Sequence, residues 1–232
     1  MIVLGIESST PIASVALVSE TGLLGEITLN IGLTHSEQLL PLIDDLLMQT
    51  KTPRQKLEGI AVSGGPGSFT GLRIGMATAK GMAQGLTLPL LSVPTLEALA
   101  ATKTGRAGLV SPVMDARKNE VYTALFRLDM HNTEQLETSF AIDPEQWAQI
   151  LLAYNEPVLF VGDGAAKYLS IWQKVLKEKA LCPPVIYGYN RAVTVAWLGR
   201  KRLLEGQKDD LYSTKPVYIR MSEAQVKLER CK

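Results

Sequence analysis

The sequence predicts an α/β fold made of two similar lobes. The order of predicted elements in the first hundred residues is repeated in the second half, and 46% of the 232 residues are hydrophobic while 20% are charged, which is typical of a globular chain with a large core. A small, polar, glycine-containing stretch at 103–108 separates the repeats. We therefore predict an N-terminal lobe over residues 1–103 and a C-terminal lobe over residues 104–232.

The first lobe begins with three short runs rich in β-branched residues, which predict consecutive strands. Thr34 and Glu37 then have the spacing of a capping box and open a helix with leucines at helical intervals. A buried strand, a glycine-rich loop, a helix, a strand and a short helix follow. The predicted strands are 2–6, 12–18, 23–29, 57–63 and 88–93, and the last two helices are 70–84 and 95–102.

The second lobe repeats this βββαβαβα order, although the residues of the two halves are hardly similar. Asp143 at the N-cap, Pro144 at the first helical position and Gln146 at N3 predict the start of its first helix. The predicted strands are 109–114, 121–127, 136–142, 158–161 and 185–187, and the other helices are 165–179 and 192–205.

Composition limits the function. The chain has 24 basic and 23 acidic residues, so its net charge of +1 selects neither a nucleic acid nor a membrane. With two histidines and two cysteines, the usual zinc ligand sets are nearly out of reach. His35 has Leu39 at i+4, where a second helical ligand would stand, so we predict no metal site and read His35 as a first-turn residue beside a cap.

The chain has no basic N-terminal region before a long apolar run, and its two cysteines form no disulfide-like pattern. The longest uncharged stretch near its middle, 81–96, is broken by Pro89 and Pro94 and falls short of a membrane span. We therefore expect a cytoplasmic protein without a membrane partner.

Several motifs, in order and spacing, resemble the TsaB (YeaZ) family. They are a hairpin with an acidic residue and hydroxyls at Ile6–Thr10, the glycine-rich Ser63–Gly75, and the segments Asp115–Tyr122, Gly162–Gly164 and Pro216–Arg220. The repeated order of elements resembles the actin-like ATPase (ASKHA, ribonuclease H-like) fold, with two lobes each of βββαβα type.

The resemblance implies a non-catalytic role in tRNA modification. TsaB proteins support the TsaD transferase and, with the ATPase TsaE, help place a threonylcarbamoyl group on N6 of the adenosine at position 37 of tRNAs reading codons that begin with A. It implies a TsaD heterodimer, a homodimer when the chain is alone, contact with tRNA through the complex, and no catalytic residue or cofactor of its own, with ATP or ADP at the complex interface. The alternatives are an autonomous ATPase or small-molecule kinase of the same superfamily, and a metallopeptidase.

Two groups of residues are candidates for nucleotide contact. The glycine-rich loop favours anions at the following helix, but it lacks the Gly-Lys-Ser/Thr end of a P-loop, so it is either a phosphate site or a tight turn. Asp115 and Arg117 either close the cleft between the lobes or pin a turn. The candidates, from the hairpin and from the motifs of the second lobe, are Glu7, Ser8, Ser9, Thr10, Asp115, Gly162, Asp163 and Gly164.

The helix after the loop carries two stripes of small residues four apart, Gly71/Gly75/Ala79 and Ala77/Gly81/Gly85. Interior glycines weaken a helix, here by about 1 to 2 kcal/mol in total, so close neighbours must offset the cost. Either both neighbours are internal, or one stripe meets the same two helices of a partner. The predicted interface consists of Leu39, Ile43, Leu46, Arg73, Ile74, Gly75, Ala77, Ala79 and Gly81.

The end of the chain is basic. Residues 191–232 hold 10 basic and 5 acidic side chains, including Arg200, Lys201 and Arg202. These cations either complement the end of a helix or attract tRNA phosphates.

Overall fold

The computed structural model describes residues 1–32, 34–130, 133–184, 186 and 188–220. Within them the first half contains three strands, a helix, and then strands and helices in alternation. These elements are β1 (Val3–Glu7), β2 (Ala13–Ser19), β3 (Gly22–Leu29), α1 (His35–Gln49), β4 (Gly59–Ser63), α2 (Phe69–Leu86), β5 (Leu90–Val93) and α3 (Thr95–Ala101).

The second half follows the same order. Its elements are β6 (Gly108–Asp115), β7 (Val121–Leu128), β8 (Thr133–Ile142), α4 (Pro144–Leu152), β9 (Val158–Val161), α5 (Asp163–Leu176), β10 (Ala180–Leu181) and α6 (Ala192–Leu204).

The two sheets have the same topology, which confirms the repeated order. The first runs β3-β2-β1-β4-β5 and the second runs β8-β7-β6-β9-β10 when read in the same direction. In each, three antiparallel strands are followed by two strands parallel to the first of them; Val3 lies opposite Val18 in β2 and Gly59 in β4, and Val110 lies opposite Phe126 in β7 and Leu159 in β9. The parallel pairs require the helical crossovers that the sequence supplies.

Helices cover both faces of each sheet. On the outer face of the first sheet, α1 and α2 pack side by side over Leu4, Ile6 and Val62. On the outer face of the second sheet, α4 and α5 bring Trp147 and Trp172 against the strands. Each outer layer is a separate hydrophobic core.

The inner faces are covered by exchanged helices. Helix α3, which follows the first sheet, packs Leu96 and Leu99 against the second sheet. Helix α6, which follows the second sheet, packs Val195 and Leu203 against the first, and Arg202 of α6 binds Glu97 of α3 at 2.5 Å. The division of the chain after residue 103 stays a prediction. It places the two sheets in different lobes, but α3 and α6 each cover the sheet of the other lobe.

The two predicted helix caps, at Thr34 and Asp143, are confirmed. The Glu37 carboxylate accepts hydrogen bonds from the Thr34 N–H at 2.9 Å and from the Thr34 hydroxyl at 2.6 Å. The Asp143 carboxylate accepts from the N–H groups of Glu145 and Gln146 at 2.8 and 3.3 Å. Both sets of bonds satisfy N–H groups that have no partner within the helix.

Two of the three residues of the strand predicted over 185–187, residues 185 and 187, lie outside the described residues. Among the described residues, Ala180–Leu181 pairs with β9. The preceding helix ends at Leu176, because Lys177 has a φ of 56° and turns the chain toward the sheet three residues earlier than the apolar pattern indicates.

A pair of matched substitutions tests the contact between α6 and the first sheet. A Cβ on Gly199 would stand 2.3 Å from the Ala61 Cβ, whereas one on Gly81, also within a helix, would have no neighbour within 4 Å. We expect Gly199→Ala to lower the free energy of unfolding by about 1 to 3 kcal/mol and Gly81→Ala to raise it by about 0.5 to 1 kcal/mol. Denaturant unfolding measures both; equal effects would contradict the described packing.

Candidate functional site

One small-residue stripe of α2 is internal. A Cβ on Gly71 would lie 2.1 Å from the Ser8 carbonyl oxygen, and one on Gly75 would lie 2.0 Å from the Ser8 Oγ. Ala79 is completely buried in the core beneath the helix. The prediction of Gly75 and Ala79 as partner contacts is therefore wrong, because Ser8 of the β1–β2 hairpin occupies the space beside Gly75 and Ala79 is buried in the core.

The other stripe faces outward. Ala77, Gly81 and Gly85 are exposed, and a Cβ on either glycine would meet nothing within 4 Å. Arg73, one turn earlier, is exposed on the same side, while Ile74 is half-buried and packs against the core. The outer side of α2 is therefore a smooth strip of helix backbone with a cation at one end.

The predicted contacts from α1 need a similar correction. Leu39, Ile43 and Leu46 are at most 2% exposed and lie in the core over the first sheet, so they cannot contact a partner. The exposed apolar side chains of this helix are Leu40 at 55% and Met48 at 70%. The wide leucine stripe signals them, since Leu40 lies outside the face that packs on the sheet.

Because α1 and α2 lie side by side over one sheet face, their outward sides form one surface. We call this surface the helical face; it consists of Leu40, Met48, Arg73, Ala77, Gly81 and Gly85.

A second feature is a cleft of about 600 Å³ between the two sheets. Of the predicted nucleotide contacts, Ser9, Thr10, Asp115 and Asp163 line it. Glu7 and Ser8 are fully buried behind this wall, and Gly162 and Gly164 pack closely against β6. The other lining residues include hydroxyls, aromatic rings and cations, namely Ser68, Phe69, Thr70, Arg117, Lys118, Tyr122, Tyr218 and Arg220.

The glycine-rich loop forms a tight turn. Gly65 has a φ of +109°, where glycine is favoured, and a Cβ there would lie 2.3 Å from the Val217 carbonyl oxygen. The N–H groups of Gly64, Gly65 and Ser68 donate to Val93 O, Thr95 Oγ1 and Ser9 O at 2.7 to 3.0 Å. These donors are engaged within the chain and are not available to a phosphate, which favours the turn interpretation.

Glu7 lies in a closed polar environment below the hairpin. One carboxylate oxygen accepts the Ser9 N–H at 2.6 Å, and the other, Oε2, has no hydrogen-bond partner among the described residues. Burial raises the pKa of the Glu7 carboxyl, and the bonds from Ser9 offset this only in part. Glu7 therefore belongs to the interior of the lobe.

His35 is also structural, as expected for a residue beside a cap. Its Nε2–H donates to the Thr10 carbonyl oxygen at 2.8 Å and so ties the start of α1 to the β1–β2 hairpin. The described residues contain no group of three potential metal ligands, and His131 lies outside them.

Asp115 and Asp163 meet at the second wall of the cleft. The Asp115 N–H donates to Asp163 at 3.2 Å, Lys167 Nζ binds the Asp115 carboxylate at 2.7 Å, and the Arg117 N–H donates to that carboxylate at 3.0 Å. Partial burial would raise the pKa of Asp115, but the bonds from Lys167 and Arg117 outweigh it and lower the pKa. Burial raises the pKa of Asp163. Asp115 thus pins the turn through the Arg117 backbone, and its cation is Lys167, which sequence reasoning missed.

The basic residues of the last helix are partly engaged. Arg202 binds Glu97, and the Arg200 Nε donates to the Met1 carbonyl oxygen at 3.0 Å. Lys201 stays exposed, while Lys227 and Arg230 lie outside the described residues. Two of the three clustered cations therefore hold the fold together.

Comparisons with known proteins agree with the motifs and the fold. The family model described as TsaD, tRNA N6-adenosine threonylcarbamoyltransferase, matches residues 30–228. The tRNA threonylcarbamoyladenosine biosynthesis protein TsaB of Bacillus subtilis is 31% identical over 98% of this chain and 97% of its own length.

Solved structures show the fold. YeaZ from Pseudomonas aeruginosa superposes with a TM-score of 0.79 at 26% identity, over 94% of this chain and 99% of that one. A ROK hexokinase from Thermus thermophilus has a TM-score of 0.52 at 9% identity, over 89% of this chain and all of that one, a likeness of fold alone. The predicted actin-like ATPase fold is thereby confirmed. No described helix has the length and apolarity needed to cross a membrane.

The burial of Glu7 predicts a pH-dependent stability. Burial raises the pKa of Glu7 above 4.5 in the folded state. The fold is therefore most stable when Glu7 is protonated, below the unfolded pKa, and this stability is lost as pH rises through the folded pKa. We expect Glu7→Gln, which mimics the protonated form, to be more stable than wild type at about pH 8. The difference should shrink as pH falls. Denaturant unfolding across this range measures it.

Glu37→Gln is the matched control with the opposite sign. The hydroxyl and N–H of Thr34 lower the pKa of the exposed Glu37 carboxyl, so its contribution is present above pH 4.5 and is lost as pH falls through the folded pKa. This variant should be less stable than wild type near neutral pH. A Glu7→Gln difference that does not change with pH would contradict the burial of an ionisable carboxyl.

Proposed function

This chain belongs to the TsaB (YeaZ) family, and from that premise we propose that it acts as a non-catalytic partner of the TsaD transferase. The complex would place threonylcarbamoyl on N6 of adenosine 37 in tRNAs that read codons beginning with A. The observation that carries the proposal is the helical face, which combines exposed glycines with exposed apolar side chains.

The helical face suits close packing against other helices. Exposed glycine at Gly81 lowers helix stability without any gain inside this chain, since nothing lies within 4 Å of its missing side chain. Helix axes usually pack 8 to 10 Å apart according to the side chains between them, and a strip of small residues permits the short end of about 8 Å. A partner backbone against Ala77, Gly81 and Gly85 would offset the cost.

The apolar side chains beside the strip extend this surface. Leu40 and Met48 lie two helical turns apart on α1, and methionine adapts to irregular neighbours. We propose that the same two helices of TsaD meet this face in a four-helix contact. A second copy of this chain would occupy it when TsaD is absent, with each copy presenting the same patch.

The cleft supports the non-catalytic part of the proposal. Glu7 is buried away from the cleft, and the charge of the Asp115 carboxylate is balanced by Lys167. Three N–H groups of the glycine-rich loop already donate hydrogen bonds within the chain. A group that performs acid–base or metal chemistry must instead reach the reacting atoms. We assign this chain no cofactor of its own and place ATP or ADP at the complex interface, with the ATPase TsaE as a further partner.

Contact with tRNA is assigned to the assembled complex, because Arg200 and Arg202 already bind groups of this chain. We propose that this activity takes place in the cytoplasm, in line with the expectation from the sequence. The runner-up is an autonomous ATPase or small-molecule kinase, which the size of the interlobe cleft favours.

Reconstitution with each component omitted tests the division of labour. We expect threonylcarbamoyladenosine in tRNA only when TsaD and this chain are both present, and neither that product nor ATP hydrolysis from this chain alone. The product is measured by nucleoside mass spectrometry and hydrolysis by phosphate release. Turnover by the purified chain alone would favour the kinase or ATPase alternative.

Gly81→Leu tests the helical face. The added side chain enters open space, so the isolated chain should fold and unfold cooperatively, while association with TsaD and with itself should weaken at least tenfold. Light scattering after gel filtration and calorimetric titration measure this. Gln173→Leu, which adds the same side chain to an exposed position of α5, is the control. Equal affinities of the two variants would exclude this face as the contact.

A further inference from the structure

The residues after α6 return across the first sheet and then reach the second. The Asp209 N–H donates to the Leu90 carbonyl oxygen at 2.9 Å, and its carboxylate accepts the Ser92 N–H at 2.6 Å. Residues 214–220, which we call the strap, continue from there along the mouth of the cleft, where 217–220 line it. The strap includes the Pro216–Arg220 motif, to which the proposed function assigns no role.

The middle of the strap is bound to the loop and helix of the first lobe. The Val217 N–H donates to the Gly64 carbonyl oxygen at 2.8 Å. The Tyr218 ring lies 4.7 Å from the Phe69 ring, centroid to centroid, and the Arg73 Nε donates to the Tyr218 hydroxyl at 3.1 Å. The Arg73 guanidinium also stands 3.8 Å over the Phe69 ring, a cation–π contact.

The end of the strap is bound to the second lobe. The Arg220 Nη1 donates to the Ala116 carbonyl oxygen at 3.1 Å, and the Nη2 pairs with the Glu120 carboxylate at 2.6 Å. Both partners belong to the turn between β6 and β7, which forms part of the cleft wall.

This turn has a backbone that needs support. Arg117, Lys118 and Asn119 are consecutive non-glycine residues with φ of 60°, 52° and 60°, in the left-handed region. Such conformations persist where the surroundings hold them. The Ala116 N–H donates to the Glu120 carbonyl oxygen at 3.0 Å and closes the turn. Arg220 of the strap binds both Ala116 and Glu120.

Arg73 connects the helical face to the strap. It is an exposed member of the helical face, and it holds Tyr218, which stands two residues before Arg220. We propose that the strap couples partner binding at the helical face to the opening of the interlobe cleft. A partner that packs beside Arg73 changes what its guanidinium contacts, and the displacement of Tyr218 reaches the β6–β7 turn through Arg220.

This inference rests on the proposed contact between the helical face and TsaD. Coupling of two sites is reciprocal, so a change at Arg220 must alter affinity at the helical face, although Arg220 is bound to the opposite lobe. A merely structural strap would alter the stability of the fold and leave the affinity for TsaD unchanged.

Spin labels measure the opening. They are placed at Glu20→Cys in the first lobe and Gln173→Cys in the second, both exposed, with Cys182 and Cys231 replaced by serine and the labelled chain diluted into unlabelled chain. We expect TsaD to shift the distance distribution between the labels. Arg220→Gln, which releases the β6–β7 turn from the strap, should abolish that shift and strengthen TsaD binding by about fivefold or more, because TsaD no longer has to break these bonds.

Arg127→Gln is the matched control, because Arg127 forms a comparably exposed ion pair with Glu156 that stays within the second lobe. It should retain both the shift and the affinity. Tyr218→Phe removes only the hydroxyl that accepts the Arg73 bond and keeps the ring, so it should act in the same direction as Arg220→Gln. It decides the matter if Arg220→Gln does not unfold cooperatively.

The outcomes separate the two proposals. Wild-type affinity and an unchanged shift in Arg220→Gln and Tyr218→Phe would overturn the coupling while the proposed function stands. Failure of the wild-type chain to bind TsaD would overturn the proposed function, and the coupling with it.

Discussion

The close approach of helices to both faces of strand β1 is the constraint on which the rest of the structure depends. A Cβ on Gly5 would lie 2.4 Å from the Ala192 carbonyl oxygen of α6, and on the other side Gly75 of α2 leaves room for Ser8 just beyond the strand. The distances between β1 and the helices on its two sides are therefore set by glycines, which have no side chain. Packing at this distance leaves no space for adjustment, since protein interiors are close-packed.

This constraint also divides α2 between structure and function. The stripe that contains Gly71 and Gly75 is needed inside the chain, so only the opposite stripe is available to a partner. A helix with small residues on two sides can hold a sheet on one side and accept another helix on the other. Arg73 stands where the second role begins, and its contact with Tyr218 connects that role to the cleft.

Much of the fold can be predicted from the sequence because the signals are local. The Thr34 and Asp143 caps, the β-branched strands and the repeated order of elements each depend on neighbours within a few residues. The choice of which α2 stripe is internal depends on the distant hairpin at Ser8, and the ion pair of Asp115 depends on Lys167, some fifty residues away. Periodicity indicates that Leu39, Ile43 and Leu46 share a face, but both a sheet and a partner would produce the same pattern.

The exchange of α3 and α6 has a consequence for the order in which the protein is made. Synthesis of the first sheet is complete once β5 has left the ribosome, about a hundred residues before α6. The inner face of that sheet, with Val3, Ala61 and Val93, therefore stays uncovered while the second sheet is synthesised. Exposed apolar surface of this kind invites aggregation. The first lobe therefore cannot be completed as an independent co-translational unit. The first sheet reaches its native packing only when α6, near the end of the chain, covers its inner face. A nascent chain that stops before α6 leaves this apolar face exposed.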